Sequence, residues 1–162
     1  MKQKEVRILI YEYDSMEELV SEEKELLLKA REASLKAYNP YSGFGVGAAL
    51  LLENGEIITG NNQENSAYPS GLCAERVAIF YANAQYPDVP VKKIAITARN
   101  KKGLVPYPVK PCGACRQVLL ETEERYSTPM KVILDGANSI ETIDNAKCLL
   151  PLSFGKDDLL DT

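Results

Sequence analysis

A chain of 162 residues with 45% hydrophobic and 26% charged content has the composition of an ordinary globular domain, able to bury roughly 70% of its unfolded surface. Its formal charge of −4 and pI near 5.0 supply no basic footprint for nucleic acid, and no apolar run reaches the ~18 residues needed to span a bilayer. Met1 to Arg7 is charged and leads into only a short apolar stretch, unlike a secretory leader. The expected compartment is therefore the cytoplasm, where thiols stay reduced.

In chain order, residues 6–10 (Val-Arg-Ile-Leu-Ile) read as a strand from their apolar, β-branched content. Ser15-Met16-Glu17-Glu18 matches the capping-box pattern, and helix formers continue to about Tyr38. Leu19, Leu26, Leu27, Ala30, Ala33, Leu35 and Ala37 give that helix an apolar stripe, and Asn39-Pro40 stops it. Residues 44–52 and 56–59 read as strands joined at Asn54-Gly55, a strong hairpin signal. Residues 61–71 are polar and turn-rich, as a loop is.

The spacing of Val77, Ile79, Phe80 and Ala82 predicts a helix over 73–84, and 91–97 is a core strand. A loop over 103–110 precedes a helix that Pro111 starts and that runs to about Glu124. Residues 130–134 and the weaker 140–143 are strands, and 145–150 is a short helix. No internal repeat or long linker interrupts this order. The succession β-α-ββ-α-β-α-ββ implies an α/β layered domain, a mixed β-sheet flanked by helices.

Four cysteines and no histidine narrow the chemistry. Any metal site must use thiolate or carboxylate, and any general acid or base must be Glu, Asp, Lys, Tyr or Cys. Pro111-Cys112-Gly113-Ala114-Cys115 sets two thiols one turn apart at a helix start, where free N–H groups and the helix dipole favour thiolate. Taken alone, the pair suits a metal, a redox dithiol or two buried cysteines alike. Cys73-Ala74-Glu75 opens a second helix. If the two helices pack side by side, Cys73, Cys112 and Cys115 converge, which is the three-ligand zinc site that leaves its fourth position for water. Glu75, two residues beyond a ligand, is then a proton carrier and not a ligand; taken alone it reads as a first-turn carboxylate that complements the dipole.

A Cys-type first ligand, a nearby Glu that does not bind the metal and a later Pro-Cys-x-x-Cys together form the signature of zinc nucleobase deaminases. The chain resembles the cytidine deaminase family in its small-subunit, homotetrameric branch. The resemblance is carried by residues 41–50 (Tyr-Ser-Gly-Phe-Gly-Val-Gly-Ala-Ala-Leu), 62–69 (Asn-Gln-Glu-Asn-Ser-Ala-Tyr-Pro), 73–76, 111–117 and 150–155 (Leu-Pro-Leu-Ser-Phe-Gly). It covers roughly residues 20–160. Gly45 stands where the family usually has proline, and residues 6–13 lie outside the resemblance. The organisation implied is a strand-like N-terminal extension over 1–14, adding an edge strand or an oligomer contact, and one catalytic domain over 15–162.

The resemblance implies one zinc per chain and hydrolytic deamination of cytidine and deoxycytidine to uridine and deoxyuridine in pyrimidine salvage. It assigns Asn62 and Glu64 to the ribose 3′-hydroxyl, Phe44 to packing against the pyrimidine and Ala74 to the substrate site. Tyr68 and Phe154 match positions that complete a neighbouring subunit's site, so a homotetramer with shared sites is implied. Arg76 matches a residue that donates to ligand sulfurs, which would draw negative charge from a centre of three thiolates and one zinc. Cys148 has no partner in the pattern and reads as a buried small apolar residue. Among rivals, the blasticidin-type antibiotic deaminases share three cysteines but act on a substrate without an ordinary ribose. A polynucleotide editor conflicts with the negative charge. A structural zinc module would need a fourth ligand, for which no spacing is evident.

Overall fold

A computed structural model describes residues 1–159. Its central strand, β2 (Gly45–Leu52), is buried along nearly its whole length, as expected of an apolar run covered on both faces. It turns at Asn54-Gly55 into β3 (Ile57–Asn61), with Gly55 at φ 88°, a conformation glycine adopts without steric cost. Around this hairpin lie β1 (Tyr11–Tyr13), β4 (Val91–Asn100), β5 (Gly103–Leu104), β6 (Lys131–Asp135) and β7 (Ile140–Ile143). The sheet runs β1-β7-β6-β4-β2-β3, with β5 beside β4; only β4 and β6 pair in parallel. The expected mixed sheet flanked by helices is therefore present.

Alternation along the strands feeds two cores. On one face α1 (Ser21–Ser34) sets Leu26, Leu27 and Ala30 against Ala49, Leu51, Ala95 and Ile133. On the other, α2 (Ala74–Gln85) and α3 (Gly113–Tyr126) set Ala78, Ile79 and Leu119 against Leu50, Ile94, Ile96 and Leu134. Two glycines permit the close approach. A Cβ on Gly47 would lie 2.1 Å from the Ala30 carbonyl oxygen, and one on Gly60 would lie 2.6 Å from that of Ala74. The second contact presses the first turn of α2 onto β3 and so fixes the start of the helix that carries the site.

Two buried carboxylates away from the helix starts are paired. Asp135, fully buried at the end of β6, accepts from Arg31 Nε and Nη2 at 2.7 Å each and from Thr97 Oγ1 at 2.7 Å. Glu23 in α1 is buried and accepts from Lys93 at 2.9 Å and Lys131 at 2.8 Å.

Several local expectations are corrected. Residues 6–10 form no strand and are exposed; pairing begins at Tyr11, antiparallel to β7 at the sheet edge, where Tyr13 packs against the α1-side core. Ser15 does make a capping box with Glu18, but over a 3₁₀ turn at Met16–Glu18. The chain then extends so that Leu19 reaches the core, and α1 begins only at Ser21. It ends at Ser34, short of Tyr38, leaving Leu35 exposed and Ala37 half-buried. Pro111 does not start a helix: Cys112 is the N-cap and Gly113 the first helical residue. β4 runs on to Asn100, and β5 forms inside the expected 103–110 loop. Cys148 is half-buried against the α2/α3-side core rather than fully buried.

Candidate active site

Cys73 is the N-cap of α2 and Cys112 the N-cap of α3, both in extended backbone and neither making a side-chain capping bond. Two sets of free helix N–H groups, each carrying about half a positive charge, therefore begin at the thiols. Cys115 lies in the first turn of α3 and is fully buried, Cys73 is half-buried and Cys112 is exposed. The three sulfurs lie within 4.8 Å of one another, and those of Cys73 and Cys112 are 3.8 Å apart. Sulfurs sharing one tetrahedral zinc at ~2.3 Å stand about 3.8 Å apart, so the thiols fit that ion. Among the described residues no fourth His, Cys, Asp or Glu joins this group, and Cys148 is not part of it.

The thiols are electrically unequal. Hydrogen bonding with Cys115, aided by Arg76 and Cys112, brings the Cys73 thiol down to about 5 against the opposing effect of its burial. The hydrogen bond with Cys73, together with burial, pushes Cys115 up. Arg76 Nη2 donates to Cys73 Sγ at 3.8 Å and to the Gly71 carbonyl at 3.4 Å, while its buried Nε has no partner among the described residues. Glu75 is only 4% exposed, and burial, with the negative charge of Cys73 beside it, raises its carboxyl above the ordinary carboxylate value.

Apart from the buried Cys115, these groups line a cleft of about 650 Å³. The cleft brings together Phe44, Asn62, Glu64, Tyr68, Cys73, Glu75, Arg76 and Cys112 of the expected residues, with Ile96 and Val46 adding apolar wall. Asn62 is held rigidly: its amide oxygen accepts from Val46 N at 2.7 Å and its amide nitrogen donates to the Phe44 carbonyl at 3.0 Å. Glu64 accepts from Tyr41 N at 2.8 Å, Ser42 N at 3.2 Å and the Ser42 hydroxyl. The Ser42 hydroxyl holds the Glu64 carboxyl below its ordinary value. Tyr68 is 75% exposed and meets Tyr41 edge-on, ring centroids 6.1 Å apart.

Two expected residues stand apart. Ala74 is buried as the first residue of α2 and does not line the cleft, and Phe154 lies outside it with its carbonyl bound by Gln117 Nε2 at 2.8 Å. Tyr41 and Ser42, which grip Glu64, were not singled out from the sequence, although they open the Tyr-Ser-Gly-Phe stretch that leads into β2. The loop before α3 is strapped to the β6–β7 turn. Ala137 N donates to the Val105 carbonyl at 2.8 Å and Asn138 N to that of Pro106 at 2.9 Å. Arg116 Nε closes onto the Pro111 carbonyl at 2.9 Å, steadying the backbone that delivers Cys112.

Three convergent thiols beside a buried carboxylate, on a layered α/β domain, define a zinc-binding hydrolytic enzyme class. Comparison with known proteins narrows the class. Residues 20–128 match the family model described as the cytidine and deoxycytidylate deaminase zinc-binding region, and the chain belongs to this family. It is 44% identical over 148 residues to a cytidine deaminase of Sporosarcina psychrophila, covering 89% of this chain and 94% of that protein. It is 40% identical over 141 residues to one of Halalkalibacterium halodurans, covering 86% of this chain and 99% of that protein. The crystal structure of cytidine deaminase from Burkholderia pseudomallei superposes with a TM-score of 0.70 at 37% identity, covering 80% of this chain and 97% of that one.

Proposed function

We propose that the chain catalyses hydrolytic deamination of cytidine and deoxycytidine, yielding uridine or deoxyuridine and ammonia, as a step of pyrimidine salvage in a reducing cytoplasm. The observation that carries this reading is the convergence of Cys73, Cys112 and Cys115, with Cys73, Cys112 and the buried Glu75 lining the same cleft as Asn62 and Glu64. One zinc per chain, held by the three cysteines, supplies Lewis acidity that readies a water molecule as nucleophile near neutral pH.

The chain's own residues do the rest. Glu75 takes a proton from the attacking water and delivers it to N3 of the pyrimidine as the C4–O bond forms. It then takes the proton of the C4 hydroxyl and passes it to the exocyclic amine; the C4 carbonyl forms, the C4–N bond breaks and ammonia leaves. With no histidine in the chain, one carboxylate serves both transfers. Arg76 draws negative charge off Cys73. Phe44 packs on the pyrimidine beside Val46 and Ile96. Asn62 and Glu64, already oriented by backbone bonds, meet the ribose 3′-hydroxyl with little further ordering to lose. Tyr68, exposed on the wall of its own cleft, and Phe154, exposed outside that cleft, stand where subunits of a homotetramer meet to complete one another's sites.

The direct test follows the loss of cytidine's ultraviolet absorbance on adding purified protein, with and without a zinc chelator. Chelator-sensitive conversion is expected. No conversion by zinc-loaded protein, or full conversion by metal-free protein, overturns the reading.

A further inference from the structure

The two residues after Cys115 each reach out of α3 to hold the same downstream segment. Arg116 Nη1 donates to the Leu149 carbonyl at 2.9 Å, and Gln117 Nε2 donates to the Phe154 carbonyl at 2.8 Å. A third tie lies further along the helix, where Lys156 Nζ donates to the Glu124 carbonyl at 3.1 Å. Between the first two anchors the chain bulges outward. Leu152 sits at φ 59°, a left-handed conformation unfavourable for a residue with a Cβ, and is 99% exposed; Phe154 is 58% exposed. The strained leucine buries nothing in its own chain, and more than half of the Phe154 surface is left in water. Strain of this kind persists only where surrounding bonds enforce it, and it gathers at functional segments.

We propose that Gln117 and Arg116 are positioning residues for a neighbouring protomer's cleft: they clamp the carbonyls on either side of the Leu152 bulge and so present Phe154 to that cleft. The inference rests on the reading that Phe154 completes a second copy's site. The recipient surface is on the page: the cleft is open in the single chain, and Tyr41, Tyr68 and Leu72 on its walls are exposed. The clamp residues share the first turns of α3 with Cys112 and Cys115, so the helix that builds one protomer's metal centre also sets the reach of the ring serving the next. Removing the Gln117 donor therefore harms substrate binding in the neighbour while leaving the thiols of its own chain untouched.

The test compares Gln117→Ala, Gln117→Met (similar length, no donor) and Phe154→Ala by cytidine KM and kcat, zinc per chain and sedimentation. Each Gln117 variant is expected to raise KM about three- to tenfold, the scale of one neutral hydrogen bond, with zinc content and assembly unchanged and little further effect in a Phe154→Ala background. Co-expression locates the effect. Glu75→Gln chains, inactive themselves, should restore normal KM to Phe154→Ala partners, whereas chains carrying both Glu75→Gln and Gln117→Ala should not. Equal rescue by both, or multiplicative effects of Gln117→Ala and Phe154→Ala, overturns the positioning role. A Phe154→Ala enzyme with unchanged KM overturns the reading of Phe154 and this inference together. A raised KM for Phe154→Ala but not for the Gln117 variants overturns the inference alone.

Discussion

The sulfurs of Cys73 and Cys112 lie 3.8 Å apart although 39 residues separate them in the chain. That spacing is set by two helix starts, with Cys73 the N-cap of α2 and Cys112 the N-cap of α3. We expect about one zinc per chain, and Cys112→Ser or Cys115→Ser to lose metal and turnover together. Elemental analysis beside the ultraviolet assay checks this; a zinc-free variant with full activity would refute it.

Glu75→Gln keeps the shape of the side chain but cannot accept a proton. Because the carboxylate stands outside the sulfur cluster, the variant should fold, assemble and retain zinc while turnover falls by ~10²–10⁴-fold or more. If the group only complements the dipole of α2, the loss is instead limited to about 1 kcal/mol of stability at normal turnover. Zinc content, melting temperature and rate measured on this one variant separate the two.

The sugar contacts make a substrate-side prediction. Cytidine and deoxycytidine should both react, and 3′-deoxycytidine should have a much lower kcat/KM, because Asn62 and Glu64 would be left facing an absent hydroxyl. Glu64→Ala should raise the cytidine KM about ten- to a hundredfold, the range of a charge-assisted hydrogen bond, yet hardly change the reaction of 3′-deoxycytidine. Equal turnover of all three nucleosides by the unaltered enzyme would dispose of the clamp.

Asp135→Ala should destabilise the fold without removing any site residue. It strips the partner from Arg31 and from the Thr97 hydroxyl. Breaking a buried pair costs about 3–5 kcal/mol, and the partial exposure of Arg31 argues for the lower end. Urea unfolding at fixed protein concentration measures it, and a change under ~1 kcal/mol would show the pair to be dispensable.

A pH dependence follows from Glu23. Burial alone would raise its carboxyl, but hydrogen bonds from Lys131 and Lys93 prevail and hold it below the ordinary value. Its folded value is thus lower than its unfolded one. The stability it contributes is fully present above the unfolded value of about 4.3 and is lost as pH falls through the folded value. The gap in urea midpoint between the unaltered protein and Glu23→Gln should be widest near pH 7 and shrink on acidification below pH 4. A gap that grows in acid would reverse the sign and sink the argument.

What was legible in advance follows from where the information resides. The three thiols and Glu75 stand out because residue type and short spacing carry the metal chemistry, and helix starts have local signals. The Asn54-Gly55 hairpin and the strand that leads into it were legible for the same local reason. Other features depend on tertiary packing. Residues 6–10 look more strand-like than Tyr11–Tyr13, yet pairing falls where Tyr13 can reach the core. The helix expected from Ser15 breaks because Leu19 is buried in an extended conformation. The grip of Ser42 on Glu64 joins residues 22 apart, and no spacing rule anticipates it.

The parallel pairing of β4 with β6 bears on how the metal centre comes into being. One sulfur belongs to the helix before β4 and two to the helix after it, so they meet only once the β4-α3-β6 crossover has closed and both helices have docked on the same face. A nascent chain offers an ion at most the local Cys112/Cys115 pair, a far poorer trap than all three. The three-thiol site is thus a property of the finished topology, and a chain whose crossover has not closed presents no more than the local pair.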